Sequence, residues 1–191
     1  MNGVPRIVQD VHERGAALFD TLAPAYGRRE LERSLRKGEL RETNIAGYRA
    51  ISLGLRGRAM VGINNRKTAS PPALLDQLAA RLAIEYYESR GWTYEGRHAT
   101  NILHFTKPDA LSEFVAIKRD DYHSDSVYRL LAKNAQSIAI KGGTIVFYVK
   151  DPKVATTLKR HHRHRIEVRP YQTLLDHAHP RVAAALTEVP A

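Results

Sequence analysis

One unbroken apolar segment, TIVFYV at residues 144–149, constrains the fold of this chain more than any other stretch. A strand with one face in water alternates apolar and polar residues, whereas this segment carries no charge on either face. We therefore expect a strand at the centre of a sheet that is covered on both sides. Such strands are typical of parallel pairing through crossover helices.

The patterns around this segment predict an α/β chain of the α+β type. PALLDQLAARLAIEYYESRG predicts an amphipathic helix, followed by short strands at WTYEGRHA, NILHFTK and EFVAIKRD. SDSVYRLLAKNAQSIAIKG predicts a second helix before the apolar strand. PKVATTLKRHH and RIEVRPYQ then predict a short helix and a last strand. The first strands favour an antiparallel meander, and the later helix–strand alternation favours parallel pairing.

The stretches KPDAL and FVAIKRDD join a proline–aspartate pair to an apolar strand that ends in lysine. This arrangement resembles the PD-(D/E)xK superfamily, whose members share a restriction-endonuclease-like core. With SVYRLLAKNA and TIVFYVKDPKVATTLKRH added, the chain is similar to the replication-relaxation proteins of bacterial plasmids and mobile elements. The resemblance implies a winged helix joined to a nuclease-like core.

The same resemblance implies a Mg²⁺ site in which acids on two strands hold the metal and a lysine assists the reaction. Its residues map onto Glu85, Asp109 and Lys118, but the acid of the third strand maps onto Ala116. A methyl group binds no metal. Asp120 shares the strand face of Lys118 and is the remaining candidate, because Glu113 points the other way. We expect a degenerate site without a cofactor; a Mg²⁺-dependent endonuclease is the alternative.

The N-terminal part predicts one helix over VPRIVQDVHERGAALFDTLA and a second over GRRELERSLRKG that ends at Gly38. The segment ELRETNIAGYRAISLGLRGRAMVGI then predicts two strands around NIAG. Through YRAISLGLRGRAMV, residues 5–63 resemble a winged helix-turn-helix module. The resemblance implies a basic helix in the DNA major groove and a hairpin on the backbone. It would bring nine residues to DNA: Arg28, Arg29, Arg33, Arg36, Lys37, Arg41, Arg49, Arg56 and Arg58. A solvated basic face is the alternative.

The polar segment NNRKTASPPALL predicts a linker, which gives a basic module over 1–66, a core over 72–175 and a tail over 176–191. The net charge is +10, and residues 1–67 hold 13 Lys and Arg against 7 Asp and Glu. This balance favours DNA as the partner, with an anionic membrane surface or an acidic protein as alternatives. No run of about 18 apolar residues exists, so we expect no membrane span.

The densest basic stretch is KRHHRHR at residues 159–165. We expect it to contact phosphates through Lys159, Arg160, Arg163 and Arg165. A zinc site at His161, His162 and His164 is disfavoured, since such sites need three or four ordered, separated ligands and the chain has no cysteine. The absence of cysteine and of an apolar leader favours a cytoplasmic protein. Basic DNA binders are often dimers, so a homodimer is a further expectation.

Overall fold

The computed structural model describes residues 3–65, 67–99, 101–118, 124–150 and 166–188, with the side chains of residues 118 and 124–128 excepted. These ranges contain a three-stranded antiparallel sheet, a five-stranded mixed sheet and eight helices. The predicted α+β class is confirmed. The chain divides into two compact units, Met1–Leu82 with Ala178–Ala191, and Ala83–His177. Among the described helices, none is long and apolar enough to cross a bilayer.

The first unit begins with α1 (Arg6–Arg14), β1 (Ala17–Leu18), α2 (Phe19–Tyr26) and α3 (Arg28–Arg36). A hairpin of β2 (Leu40–Ile45) and β3 (Tyr48–Leu53) follows, then α4 (Leu55–Met60) and the start of α5 (Pro71–Glu88). The sheet order is β1-β3-β2, antiparallel throughout. Apolar residues of α1, α2, α3 and the strands form one buried cluster: Ile7, Val8, Val11, Ala17, Phe19, Leu22, Leu31, Leu40 and Ile51.

The prediction of a single helix over residues 4–23 is wrong, because the chain breaks at Gly15. Gly15 has a φ of +96°, which disfavours any residue with a side chain. A Cβ there would also lie 2.8 Å from the carbonyl oxygen of Gln77, on α5. The close approach of α5 therefore ends α1, and three helices precede the hairpin instead of two.

The predicted helix end at Gly38 and the predicted hairpin are both confirmed. Gly38 has a φ of +69°, and its N–H donates to the carbonyl of Leu35. The N–H of Glu39 donates to the carbonyl of Ser34. These bonds form a Schellman motif. The hairpin turns at Ala46 and Gly47, with φ of 48° and 83°. Residues 55–60, which were predicted to extend the second strand, form α4 instead.

The second unit holds the end of α5, an antiparallel meander and a parallel extension. The meander is β4 (Thr93–Ala99), β5 (Ile102–Thr106) and β6 (Glu113–Lys118). After α6 (Ser124–Ile140), β7 (Thr144–Val149) pairs parallel with β6, and β8 (Ile166–Pro170) pairs parallel with β7. The short α7 (Gln172–Leu175) closes the unit, and α8 (Pro180–Glu188) belongs to the first unit. The five predicted strands are therefore present in the predicted orientations.

Both faces of the central strands are buried, as the apolar segment predicts. One face packs on α6 in an apolar cluster that includes Phe114, Ala116, Leu131, Ala135, Ile138, Ile145, Phe147 and Val149. On the other face Val115, Val146 and Tyr148 are buried as well. The end of α5 contacts this second face, where the ring of Tyr87 stacks on that of Phe105 at 4.2 Å between centroids.

The edge strand β4 is irregular. Its register with β5 shifts twice, between Tyr94 and Gly96 and between Arg97 and Ala99. Gly96 has a φ of +108° at the first of these shifts. Such bulges bend a strand and increase its local twist.

We expect Gly57→Ala to destabilise the first unit by about 2 kcal/mol. A Cβ at Gly57, within α4, would overlap the backbone carbonyl of Glu39, whose carbon atom would lie 3.0 Å away. Helix propensity alone predicts the opposite sign, a gain of about 1 kcal/mol. The free energy of unfolding from urea titration distinguishes the two.

The matched control is Ala59→Gly, which changes an exposed position of the same helix and should cost only about 1 kcal/mol through propensity. A Gly57→Ala protein more stable than the wild type would contradict the close contact with Glu39.

Candidate functional site

Two positions of the nuclease-like motif that the resemblance implies, Ala116 and Lys118, lie on β6. Ala116 is 1% exposed and lies in the apolar cluster under α6. Its neighbours there are hydrocarbon side chains, which offer nothing to a cation. Lys118 is the last residue of β6 and is paired in register with Val149.

The other predicted motif residues lie in separate places. Asp109 is exposed in the turn between β5 and β6, with a φ of +61°. Glu85 is exposed on α5, the helix that covers the face opposite to Ala116 through Tyr87. Asp120 lies outside the described residues.

The donor set therefore does not fit a Mg²⁺ site of the expected kind within the described part of the chain. Mg²⁺ needs converging oxygen ligands. Glu85 lies on α5 and Asp109 in the β5–β6 turn, while Ala116 is buried in the apolar cluster under α6. In the described ranges, no group of three His, Asp or Glu side chains is arranged to hold a metal ion. We derive no catalytic step through a metal.

Glu113 is the acid of β6, and it is buried on the face of the sheet opposite to Ala116. Its side chain is 12% exposed and forms a bidentate ion pair with Arg169 of β8. Arg169 Nη2 donates to Glu113 Oε1 at 2.8 Å, and Nη1 donates to Oε2 at 2.9 Å. The hydroxyl of Tyr87 donates a short hydrogen bond to the same carboxylate. The pair thus links β6, β8 and α5.

Arg169 uses its remaining donors as well. Nε and Nη2 donate to the two oxygens of Glu167 at 2.8 and 2.9 Å, and Nη1 lies 2.7 Å from Tyr87 Oη and 3.4 Å from Tyr148 Oη. A guanidinium has five N–H groups, so this set of acceptors satisfies it. The network has no spare donor for a ligand and acts as a structural clamp.

The electrostatics of the clamp follow from its burial. Burial raises the pKa of the Tyr87 hydroxyl, and the neighbouring Tyr148 and Glu113 raise it further. Burial by itself lowers the pKa of Arg169, but hydrogen bonds to Glu167 and Glu113 outweigh that effect and raise it above the usual value. Burial raises the pKa of Tyr148 as well. The hydroxyls of Tyr87 and Tyr148 therefore stay protonated, and Arg169 stays charged, at neutral pH.

A second polar cluster lies on the α6 face of the meander. The ring of His104 stacks on Phe114 at 4.3 Å, and His98 meets the same ring edge-on at 4.9 Å. His98 Nε2 lies 3.1 Å from Ser137 Oγ, yet that hydroxyl donates its own proton to the carbonyl of Asn134 at 2.9 Å. The hydroxyl proton of Ser137 is therefore directed away from His98, and this geometry does not activate the serine as a nucleophile.

The predicted basic surface of α3 is present in the first unit. Arg29, Arg33 and Arg36 are exposed and recur at helical spacing along one side of the helix. Among the residues described, none forms an ion pair with any of these three. Leu31 and Ser34 are buried on the opposite side. Arg28, at the start of α3, is exposed and lies 4.0 Å from Asp20.

The remaining predicted basic residues differ in their environments. Arg41 and Arg56 are exposed, and Lys37 Nζ lies 3.9 Å from the carboxylate of Glu39. Arg49 is paired with Glu42 across the hairpin. Arg58 is 8% exposed and donates to the backbone carbonyls of Asn65 and Lys67, so it fixes the segment after α4 and adds nothing to the basic surface.

The C-terminal basic stretch lies outside the described residues. This applies to Lys159, Arg160, Arg163 and Arg165, and to the histidines between them. Their contact with phosphates stays a prediction.

No protein-family model, curated protein or solved structure matches this chain.

We expect Arg169→Met to lower the free energy of unfolding by about 3 kcal/mol, because it leaves Glu113 buried without its cation. Glu167→Gln is the control, since that side chain is 49% exposed and should cost less than about 1 kcal/mol. Urea titration at neutral pH measures both. Equal losses in the two variants would contradict the role of Arg169 at Glu113.

We also expect the stability to depend on the two half-buried histidines at mildly acidic pH. Burial first, and then the charge of Lys141, lowers the pKa of His98 and His104 below the ordinary 6.5. Below that value the unfolded chain takes up protons that the folded chain resists, so stability falls as pH decreases.

Comparison of unfolding at neutral pH and at about pH 5.5 should show a smaller loss in a His98→Gln, His104→Gln protein than in the wild type. His12→Gln, at an exposed position of α1, is the control and should keep the wild-type loss.

Proposed function

We propose that the first unit is a winged helix-turn-helix module that binds duplex DNA. What supports this is the order α1-β1-α2-α3-β2-β3 together with the sheet order β1-β3-β2. That arrangement supplies the third helix and the hairpin that the module requires. In such modules the helix before the hairpin enters the major groove and the hairpin contacts the backbone.

The observation that carries the proposal is the arginine stripe of α3. Arg29, Arg33 and Arg36 are exposed on one side of the helix at the position of a recognition helix. Long cationic side chains on one helix face neutralise phosphates and release counterions. Arg41, on the hairpin, is exposed as well and extends the positive surface.

For the second unit we propose a nuclease-like core, as the resemblance to replication-relaxation proteins implies, that has lost its metal site and serves as a scaffold or dimerisation unit. The element order of helix, three-stranded meander, helix and parallel strands supports this. Ala116 in its apolar cluster supports the loss of the metal site. The protein would then act in DNA maintenance, mobile-element biology or transcription control. A Mg²⁺-dependent endonuclease that uses Asp109, Lys118 and either Glu85 or Asp120 is the alternative.

We expect salt-dependent binding of a labelled duplex by the full chain. Replacing Arg29, Arg33 or Arg36 by alanine should weaken binding in each case. Each replacement should also reduce the magnitude of the slope of log affinity against log salt by about 1. Arg6→Ala is the matched control, because Arg6 is an exposed arginine on α1 outside the stripe. Fluorescence anisotropy in EDTA over a range of salt concentrations measures the slopes.

Absence of salt-dependent binding by the wild type would contradict the proposal, and so would equal losses in Arg6→Ala and the stripe variants.

The same samples with Mg²⁺, run on a denaturing gel, test the alternative. Cleavage that disappears in Lys118→Ala would favour the endonuclease. Sedimentation of the complex tests the expected homodimer.

A further inference from the structure

The hairpin of the first unit carries an arginine, Arg49, whose guanidinium already uses its Nε–Nη2 edge. Arg49 of β3 is directly opposite Asn44 of β2, and Glu42 is the diagonal neighbour on that strand. Arg49 Nε donates to Glu42 Oε1 at 2.9 Å, and Nη2 donates to Oε2 at 2.7 Å. These two parallel bonds use the edge of the guanidinium that binds a phosphate in the same bidentate way.

The flat face of the same guanidinium is also engaged. Arg49 Cζ lies 3.8 Å from the centroid of the Phe19 ring, and Arg28 Cζ lies 6.0 Å from that ring. Phe19 is 1% exposed and belongs to the core cluster, so it forms a fixed platform at the start of α2. The ring therefore holds Arg49 close to the first residue of α3.

The ion pair nevertheless lies within reach of solvent. The side chain of Arg49 is 43% exposed and that of Glu42 is 37% exposed. Ion pairs with this exposure contribute little to stability and exchange partners readily. A phosphate can therefore replace the carboxylate without disturbing the fold.

We propose that Glu42 limits the DNA affinity of the hairpin by competing with phosphate for Arg49. This inference deepens the proposed function and rests on it. In the free protein the Arg49–Glu42 pair has no net charge and so contributes no counterion release. To bind a phosphate through the same Nε–Nη2 edge, Arg49 exchanges the carboxylate for the phosphate while Glu42 stays close to the negatively charged backbone. The partner is the phosphate backbone of duplex DNA, independent of its sequence.

Glu42→Gln tests the proposal because it removes the charge and keeps the shape. We expect this variant to bind a labelled duplex about threefold more tightly than the wild type, with a salt slope larger by about 1. Glu13→Gln is the control for net charge, since Glu13 is an exposed acid of α1 outside the hairpin. It should bind like the wild type. Thermal unfolding checks that each variant is folded.

A double-mutant cycle assigns the effect to Arg49. In an Arg49→Ala background, Glu42→Gln should change the affinity and the slope much less than it does when Arg49 is present. An equal gain in both backgrounds would mean that Glu42 acts by general repulsion, and would overturn the proposal.

Two further outcomes separate this inference from the proposed function. Weaker binding by Glu42→Gln, or unchanged binding, while the α3 variants still lose affinity would overturn the inference and leave the DNA-binding module in place. No salt-dependent binding by either the wild type or Glu42→Gln would overturn both.

Discussion

The ion pair between Glu113 and Arg169 is the interaction on which the second unit depends. An acid buried in a sheet is unfavourable unless a cation and further hydrogen bonds compensate it. Here the cation comes from β8 and the further hydrogen bond to the carboxylate comes from α5, while Tyr148 of β7 accepts from the cation; these elements are distant along the chain. Among the described strands β8 is paired with β7 alone, so the side-chain clamp gives it a second attachment. The requirement of one carboxylate thus fixes the position of several elements.

Much of the fold could be predicted because its signals are local. The uncharged segment of β7, the amphipathic α5 and the turn before Tyr48 each show their structure within a few residues. The break at Gly15 could not be predicted in this way, because it depends on the carbonyl of Gln77 in another helix. A glycine inside a helical pattern costs only about 1 kcal/mol, so the pattern by itself favoured continuation.

The candidate site was less predictable, for a different physical reason. The sequence predicted that Ala116 and Glu113 lie on opposite faces of one strand, and the structure agrees on that point. The sequence did not identify Arg169 as the partner of Glu113. A buried acid requires a cation, but the chain has 30 Lys and Arg, and no local pattern singles out one of them. Likewise, exposed Arg33, paired Arg49 and buried Arg58 have the same chemistry and differ only in tertiary contacts.

The irregular β4 has a consequence for assembly. A straight edge strand presents an open row of N–H and C=O groups onto which another chain can add, and this is a common route to aggregation. The two register shifts of β4 and its polar residues interrupt that row. This edge is therefore a poor template for strand addition between copies, and a high local concentration of the protein does not favour polymerisation of the sheet along β4.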